Sequence, residues 1–358
     1  MRRLLSLLPL ALLGPGCERD ITAEPTAVTV ADSPPRFGLV IHGGAGTIDP
    51  RALSAADELE YRNTLTRALD AGYAVLDRGG PSLDAVESAI LILENSPLFN
   101  AGKGAVFTHD GRNELDASIM DGASGKAGAI AGVQRVKNPI RAARAVMEAS
   151  PHVLLSGPGA DAFAADQGLE LVEPNYFRTQ MRWDQLQRAL TKGTVELDHG
   201  GTDKFGTVGA VAVDQHGHLA AATSTGGMTN KRWGRIGDSP VIGAGTYARD
   251  ASCAVSATGH GEFFIREAAA HSVCARMEYG GATLGDAARA VVFEQLEPIG
   301  GTGGVIALDA RGSMAAPFNT PGMYRGHRFS DGSTGVFIWD DEHPREQAAH
   351  TPTSMQRP

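Results

Sequence analysis

A chain of 358 residues with 45 glycines and an ordinary apolar share holds one large domain or two ordinary ones, and points to an α/β protein with many tight turns. A net charge of -9 and sparse aromatic residues argue against nucleic acid or an anionic membrane surface as the main partner. The 11 histidines lack HExxH-like spacing and the three cysteines form no CxxC pair, so no zinc or other catalytic metal is indicated.

Residues 1–17 read as an export signal: Arg2 and Arg3, the apolar run Leu4 to Leu13, then Gly14-Pro15-Gly16. The apolar run is too short to span a bilayer. Cys17 leaves two fates open, plain removal of the signal or a lipid-bearing N-terminal cysteine, and hence a periplasmic or a lipid-anchored protein. Residues 18–35, with Pro25, Pro34 and Pro35, read as a tether. Phe37 to Ile41 is a buried strand running into His42-Gly43-Gly44-Ala45-Gly46, where His42 is read as a satisfied core residue. Helical spacing follows over Ser54–Arg78, and a second helix starts at Ser82. Ala105–Thr108 and Glu114–Met120 are predicted to pair as a hairpin across Asp110-Gly111. Gly128–Val133 and Val153–Leu155 read as buried strands flanking a helix over Pro139–Glu148.

Residues 173–206 turn polar, which is unusual inside a domain; a short helix is expected over Gln185–Leu190 and a mobile stretch from Lys192 to Gly206. Gly206-Thr207 then opens the apolar strand Val208–Val213, and Thr223-Ser224-Thr225-Gly226-Gly227 returns beside it. We read the chain as cut before Thr207, the freed threonine serving as both nucleophile and base. The hairpin echoes itself in register at Gly301–Thr320, so Thr302 is a rival nucleophile; no loose linker precedes it, and Thr207 is preferred. Cys253 and Cys274 are read as buried small hydrophobes, with pairing as the alternative if the protein is exported.

From Phe37 onward the chain resembles the plant-type asparaginase/isoaspartyl peptidases, a threonine-dependent family of N-terminal nucleophile hydrolases. The motifs are His42–Gly46, Leu98-Phe99-Asn100-Ala101-Gly102, Gly206–Gly209, Thr223–Gly227, Gly234-Arg235-Ile236-Gly237-Asp238-Ser239-Pro240 and Thr258-Gly259-His260-Gly261-Glu262. The resemblance implies an α+β fold, the four-layer αββα sandwich. It also implies autoproteolysis between Gly206 and Thr207, and an (αβ)₂ assembly. An alpha subunit (36–206, its cleavable linker at about 178–206) and a beta subunit (207–358) then form one hydrolase domain.

By the same resemblance, Thr225 orients Thr207, Thr258 and Gly259 stabilise the oxyanion, and Asn100 supports Thr207 from nearby. Arg235 takes the substrate α-carboxylate through its planar fork, Asp238 takes the α-ammonium, and the Gly261 backbone assists. Such a clamp fits L-asparagine or a β-aspartyl dipeptide, hydrolysed to L-aspartate. No cofactor is implied for catalysis; a structural sodium is, held by main-chain carbonyls of Leu93, Glu94, Ser96, Phe99, Ala101 and Lys103. His260 stands where the family usually has a small polar residue or Asn, and either adds pH dependence or points away from the site. Two other readings stay open: a glycosylasparaginase-like amidase, and an exported amino-acid-binding protein that never cuts itself.

Overall fold

The computed structural model describes residues 36–339 apart from 47, 49, 50, 52 and 195–205. The expected signal, Cys17 and the tether, like residues 195–205 of the expected linker, lie outside the described residues. In chain order the elements are β1 (Gly38–Gly46), α1 (Ala55–Asp77), α2 (Ser82–Glu94), β2 (Leu115–Asp121), β3 (Ala127–Val133), α3 (Pro139–Ala149), β4 (Leu154–Ser156), α4 (Gly157–Asp166) and α5 (Gln180–Lys192). Then come β5 (Val208–Val213), β6 (Leu219–Thr225), β7 (Thr246–Ala248), β8 (Ala254–Gly259), α6 (Gly261–Arg266), α7 (Ala269–Glu278), α8 (Leu284–Arg289), β9 (Gly303–Leu308), β10 (Met314–Ala315), β11 (Gly322–Phe329) and β12 (Thr334–Trp339). The strands form an eight-stranded sheet, ordered β12-β11-β1-β5-β6-β2-β3-β4, and a four-stranded sheet, β10-β9-β8-β7.

Alternation along the strands explains why two sheets stack. In β1, Leu39 and Ile41 enter a core shared with α1, α2 and α3, while Val40 enters a second core with Ile306 and Leu308 of β9. β5 does the same, sending Ala210 and Ala212 to the helical side and Val211 and Val213 between the sheets. A third core joins Val255, Val305 and Ala307 to α7 and α8. Three apolar layers separate four structural ones, the expected αββα sandwich.

Several local expectations need correction. Ala105–Thr108 forms no ladder with 114–120; β2 pairs instead with β3 and β6. Side-chain amides satisfy the backbone that a hairpin would have paired: Asn113 Nδ2 donates to the carbonyls of Ala105 (2.9 Å) and Val106 (3.1 Å), and the Val106 N–H donates to Asn100 Oδ1 (3.0 Å). β4 is not buried, because it is the outermost strand; Val153 and Leu154 are 52% and 46% exposed. The helix expected over 185–190 is longer, Gln180–Lys192, capped by the Thr179 hydroxyl and closed by left-handed Gly193 (φ 68). Cys253 and Cys274 form a disulfide rather than two separate hydrophobes. The two echoing hairpins fall in different sheets, β5–β6 in the large one and β9–β10 in the small one. Among the described residues no helix is long and apolar enough to cross a membrane.

Candidate active site

Thr207 directly precedes β5, a central strand of the large sheet. The β5–β6 register pairs Val208 with Ser224, which sets Thr207 opposite Thr225. The Thr207 hydroxyl donates to Thr225 Oγ1 at 3.0 Å, and the Gly227 N–H donates to the same oxygen at 3.0 Å. Asn100 clamps this turn: its Nδ2 donates to the Gly227 carbonyl (2.7 Å) and its own carbonyl accepts the Gly226 N–H (3.0 Å). A Cβ on Gly226 would lie 2.5 Å from Asn100 Oδ1, so only glycine fits there. Thr207, Thr225, Asn100, Arg235, Asp238 and Thr258 line one pocket, which Thr302 does not reach.

His42 does more than fill the core. It is fully buried, and desolvation lowers its pKa to about 3 against the pull of the Thr207 carbonyl, so the ring is neutral. Nδ1 lies 2.9 Å from the Thr207 carbonyl oxygen, which can only accept, so Nδ1 carries the proton. Nε2, 3.0 Å from Ser256 Oγ, then accepts. The hydroxyl chain continues from Ser256 to Thr223 (2.7 Å), Thr246 (2.5 Å) and Ser118 (2.8 Å), tying both sheets together beneath the nucleophile. These residues are scattered through the sequence; His42 and Thr223 fall in motifs, but Ser118, Thr246 and Ser256 do not.

The other pocket walls come from the 229–239 loop and the end of β8. Thr258 Oγ1 accepts the Ala45 N–H at 3.3 Å, which leaves its own hydroxyl proton to donate. It lies 3.0 Å from where a Cβ on Gly206 would be, so it faces the Gly206-Thr207 peptide. Gly44 (φ 110) packs against the same residue, its missing Cβ 2.4 Å from the Gly206 nitrogen. Gly259 continues β8 and also lines the pocket. Asp238 is 4% exposed; burial pushes its carboxyl up to about 7, with Arg235 pulling back, and its Oδ2 has no hydrogen-bond partner among the described residues. A Cβ on Gly261 would sit 2.8 Å from both Arg235 Nη2 and Asp238 Oδ1, so this glycine keeps the space between cation and anion open. Arg235 and Asp238 are thus not a surface ion pair. Arg235 pairs instead with Glu262, to which the sequence assigns no role, and Nε and Nη2 each donate to one carboxylate oxygen at 2.9 Å. His260 stays outside the pocket, stacked edge-on against Phe263 with Nε2 3.4 Å from Glu262 Oε2.

The 93–104 loop curls tightly. The carbonyls of Leu93, Phe99 and Ala101 accept N–H bonds from Ser96 (3.2 Å), Ala101 (2.9 Å) and Gly104 (3.1 Å). A Cβ on Gly102 would come within 2.3 Å of the Glu94 carbonyl oxygen, and one on Gly104 within 2.1 Å of that of Phe99. The Glu94 side chain is buried and committed elsewhere, accepting from Ser224 (2.7 Å), Ile140 N (3.0 Å) and Asn138 (3.1 Å). The Lys103 ammonium points away, 5.6 Å from the Tyr176 ring centre. Among the described residues, no group of three His, Cys, Asp or Glu could hold a metal ion.

Residues 36–338 match the family model described as Asparaginase. The chain is 53% identical over 306 residues to an isoaspartyl peptidase of Salmonella typhimurium, covering 84% of this chain and 98% of that protein. An isoaspartyl peptidase of Escherichia coli is 52% identical, covering 84% and 95%. The isoaspartyl peptidase/L-asparaginase of Mus musculus is 40% identical, covering 86% and 91%. With the sandwich fold, the shared span and the motifs in place, the chain belongs to the plant-type asparaginase/isoaspartyl peptidase family.

Proposed function

We propose that this protein is an exported, self-cleaving hydrolase that releases L-aspartate from L-asparagine and β-aspartyl dipeptides. The observation that carries the reading is the Thr207–Thr225 hydroxyl pair opening onto a pocket that also holds a cation and an unpartnered carboxylate oxygen. A zwitterionic aspartyl head group matches that pair, and the names of the relatives match that substrate.

Thr207 first attacks the Gly206 carbonyl through Oγ, shifting the acyl group from nitrogen to oxygen; water then hydrolyses the ester and leaves a free Thr207 amine. That amine, with an unperturbed pKa of about 7.7–8.0, is partly neutral near neutral pH and serves as the base. In turnover it takes the hydroxyl proton as Oγ attacks the side-chain amide, and passes it to the departing ammonia or amine. Water releases L-aspartate from the acyl ester. Thr258 hydroxyl and Gly259 N–H hold the oxyanion, Arg235 the α-carboxylate, and Asp238 with the Gly261 backbone the ammonium. A sodium ion held by main-chain carbonyls of Leu93, Glu94, Ser96, Phe99, Ala101 and Lys103 would brace the loop that carries Asn100. An (αβ)₂ assembly completes the reading. The Cys253–Cys274 bond supports export, because oxidising compartments preserve such pairs.

One denaturing gel with N-terminal sequencing tests the core of this. Two fragments are expected, the smaller beginning at Thr207, and Thr207→Ala is expected to stay intact and inactive. A Thr207→Ala protein split at the same bond, or a parent that stays whole, defeats the mechanism. Release of ammonia from asparagine and of amino acid from β-aspartyl dipeptides, set against a glycan-linked asparagine, fixes the substrate.

A further inference from the structure

The Arg235 guanidinium has two edges, and in this structure they face different things. The Nε–Nη2 edge is taken bidentately by Glu262, at 2.9 Å for each bond. The Nη1–Nη2 edge faces three glycines. A Cβ would come within 3.5 Å of Nη1 at Gly227, 2.7 Å of Nη1 at Gly237 and 2.8 Å of Nη2 at Gly261. Glycine at each point keeps side chains off this edge, beside Asp238. Glu262 does not line the pocket, whereas Arg235 does. Its side chain is 47% exposed, and that of Arg235 only 17%. Burial pushes the Glu262 carboxyl up, but the Arg235 pair outweighs it and holds the group below the usual range, so it is an anion in the working pH range. His260 Nε2 lies 3.4 Å from Oε2 of the same carboxylate.

We propose that Glu262 is the positioning residue of substrate recognition, holding Arg235 by its back edge so that its front edge meets the substrate α-carboxylate. This rests on the proposed role of Arg235. The competing arrangement is a carboxylate that occupies the substrate's own place and is displaced on binding. The two differ in sign: loss of a positioning group weakens substrate binding, whereas loss of a placeholder tightens it. The edge taken points to positioning, because a placeholder would sit on the pocket side. A long, flexible Arg that is oriented beforehand loses less freedom when substrate binds.

Steady-state kinetics of the self-cleaved protein with a β-aspartyl dipeptide test this. Glu262→Ala is expected to raise KM about tenfold with kcat within about twofold, the size of one partly screened charge-assisted contact. Glu262→Gln, whose amide oxygen still accepts one of the two bonds, is expected to fall between. With the substrate α-carboxylate converted to a carboxamide, parent and Glu262→Ala should have equal kcat/KM, an equality that a general structural loss would not give. An unchanged KM, a lowered KM, or an equal loss on both substrates overturns the proposal. Arg235→Ala is measured alongside. If it leaves KM unchanged, the role of Arg235 itself fails; if it raises KM while Glu262→Ala does not, only the positioning role fails.

Discussion

Asp238 is the residue whose chemistry is most exposed to pH. Its buried carboxyl is held up at about 7, yet the proposed reaction needs it as the anion that pairs with a substrate ammonium. Below that pH the folded protein keeps the group protonated, so kcat/KM is expected to rise with pH through about 7. Asp238→Asn should abolish this limb and lower kcat/KM about 100-fold, as expected for loss of one partner of a buried charge pair. The Thr207 amine that the proposed cut would free has an unperturbed pKa of about 7.7–8.0, so the two limbs need separating. Succinamate, which lacks the α-ammonium, should show only the amine's limb. If Asp238→Asn keeps the full pH dependence with an aspartyl substrate, Asp238 does not read the ammonium.

At the level of elements, α5 shows how far the polar stretch before Thr207 is built in. Arg182 on this helix is fully buried, its Nε donating to the Gly104 carbonyl (2.8 Å) and its Nη1 to Gln185 Oε1 (3.0 Å). It therefore fastens the helix to the loop that presents Asn100. Arg182→Ala strands both acceptors away from water and should cost about 3 kcal/mol in urea unfolding, with Arg182→Lys recovering part of it. A loss within about 0.5 kcal/mol would show the staple to be incidental. A polar sequence did not announce this, since charge normally signals a solvated face. By contrast, α1 was legible nearly to the residue, because Ser54 caps it (Ser54 Oγ accepts Asp57 N at 3.1 Å) and Gly79 (φ 77) closes it. Strands with dense apolar runs were legible too. Ala105–Thr108 was not, because distant amides, not a neighbouring strand, satisfy its backbone. Likewise Thr207, Thr225, Arg235 and Asp238 carry roles through their motifs, whereas the grip of Glu262 on Arg235 and the hydroxyl chain below His42 gain meaning only from what folds against them.

For the molecule as a whole, the Cys253–Cys274 bond pins the start of β8 to α7 across 21 residues of sequence. In the loop-closure account a link of that span is worth about 3 kcal/mol, so reduction or Cys274→Ala should lower the unfolding midpoint accordingly. Because the bond lies in the small sheet's helical layer, activity at 25 °C should survive. Reduction without any change in thermal midpoint would contradict the bond's stabilising role.

The order of strands in the large sheet bears on what a cut before Thr207 can release. β1 lies between β11 and β5, and β6 borders β2, so strands from before and after the cut alternate along one ladder. Severing the chain there opens a covalent bond but leaves three seams of backbone hydrogen bonds crossing between the halves, β11–β1, β1–β5 and β6–β2. The large sheet is therefore shared between the halves, whereas the four-stranded sheet lies wholly after the cut. Were the proposed cut made, those three seams would be expected to hold the two fragments together on dilution, since β1 and β2 find their partners across the cut in strands that follow it.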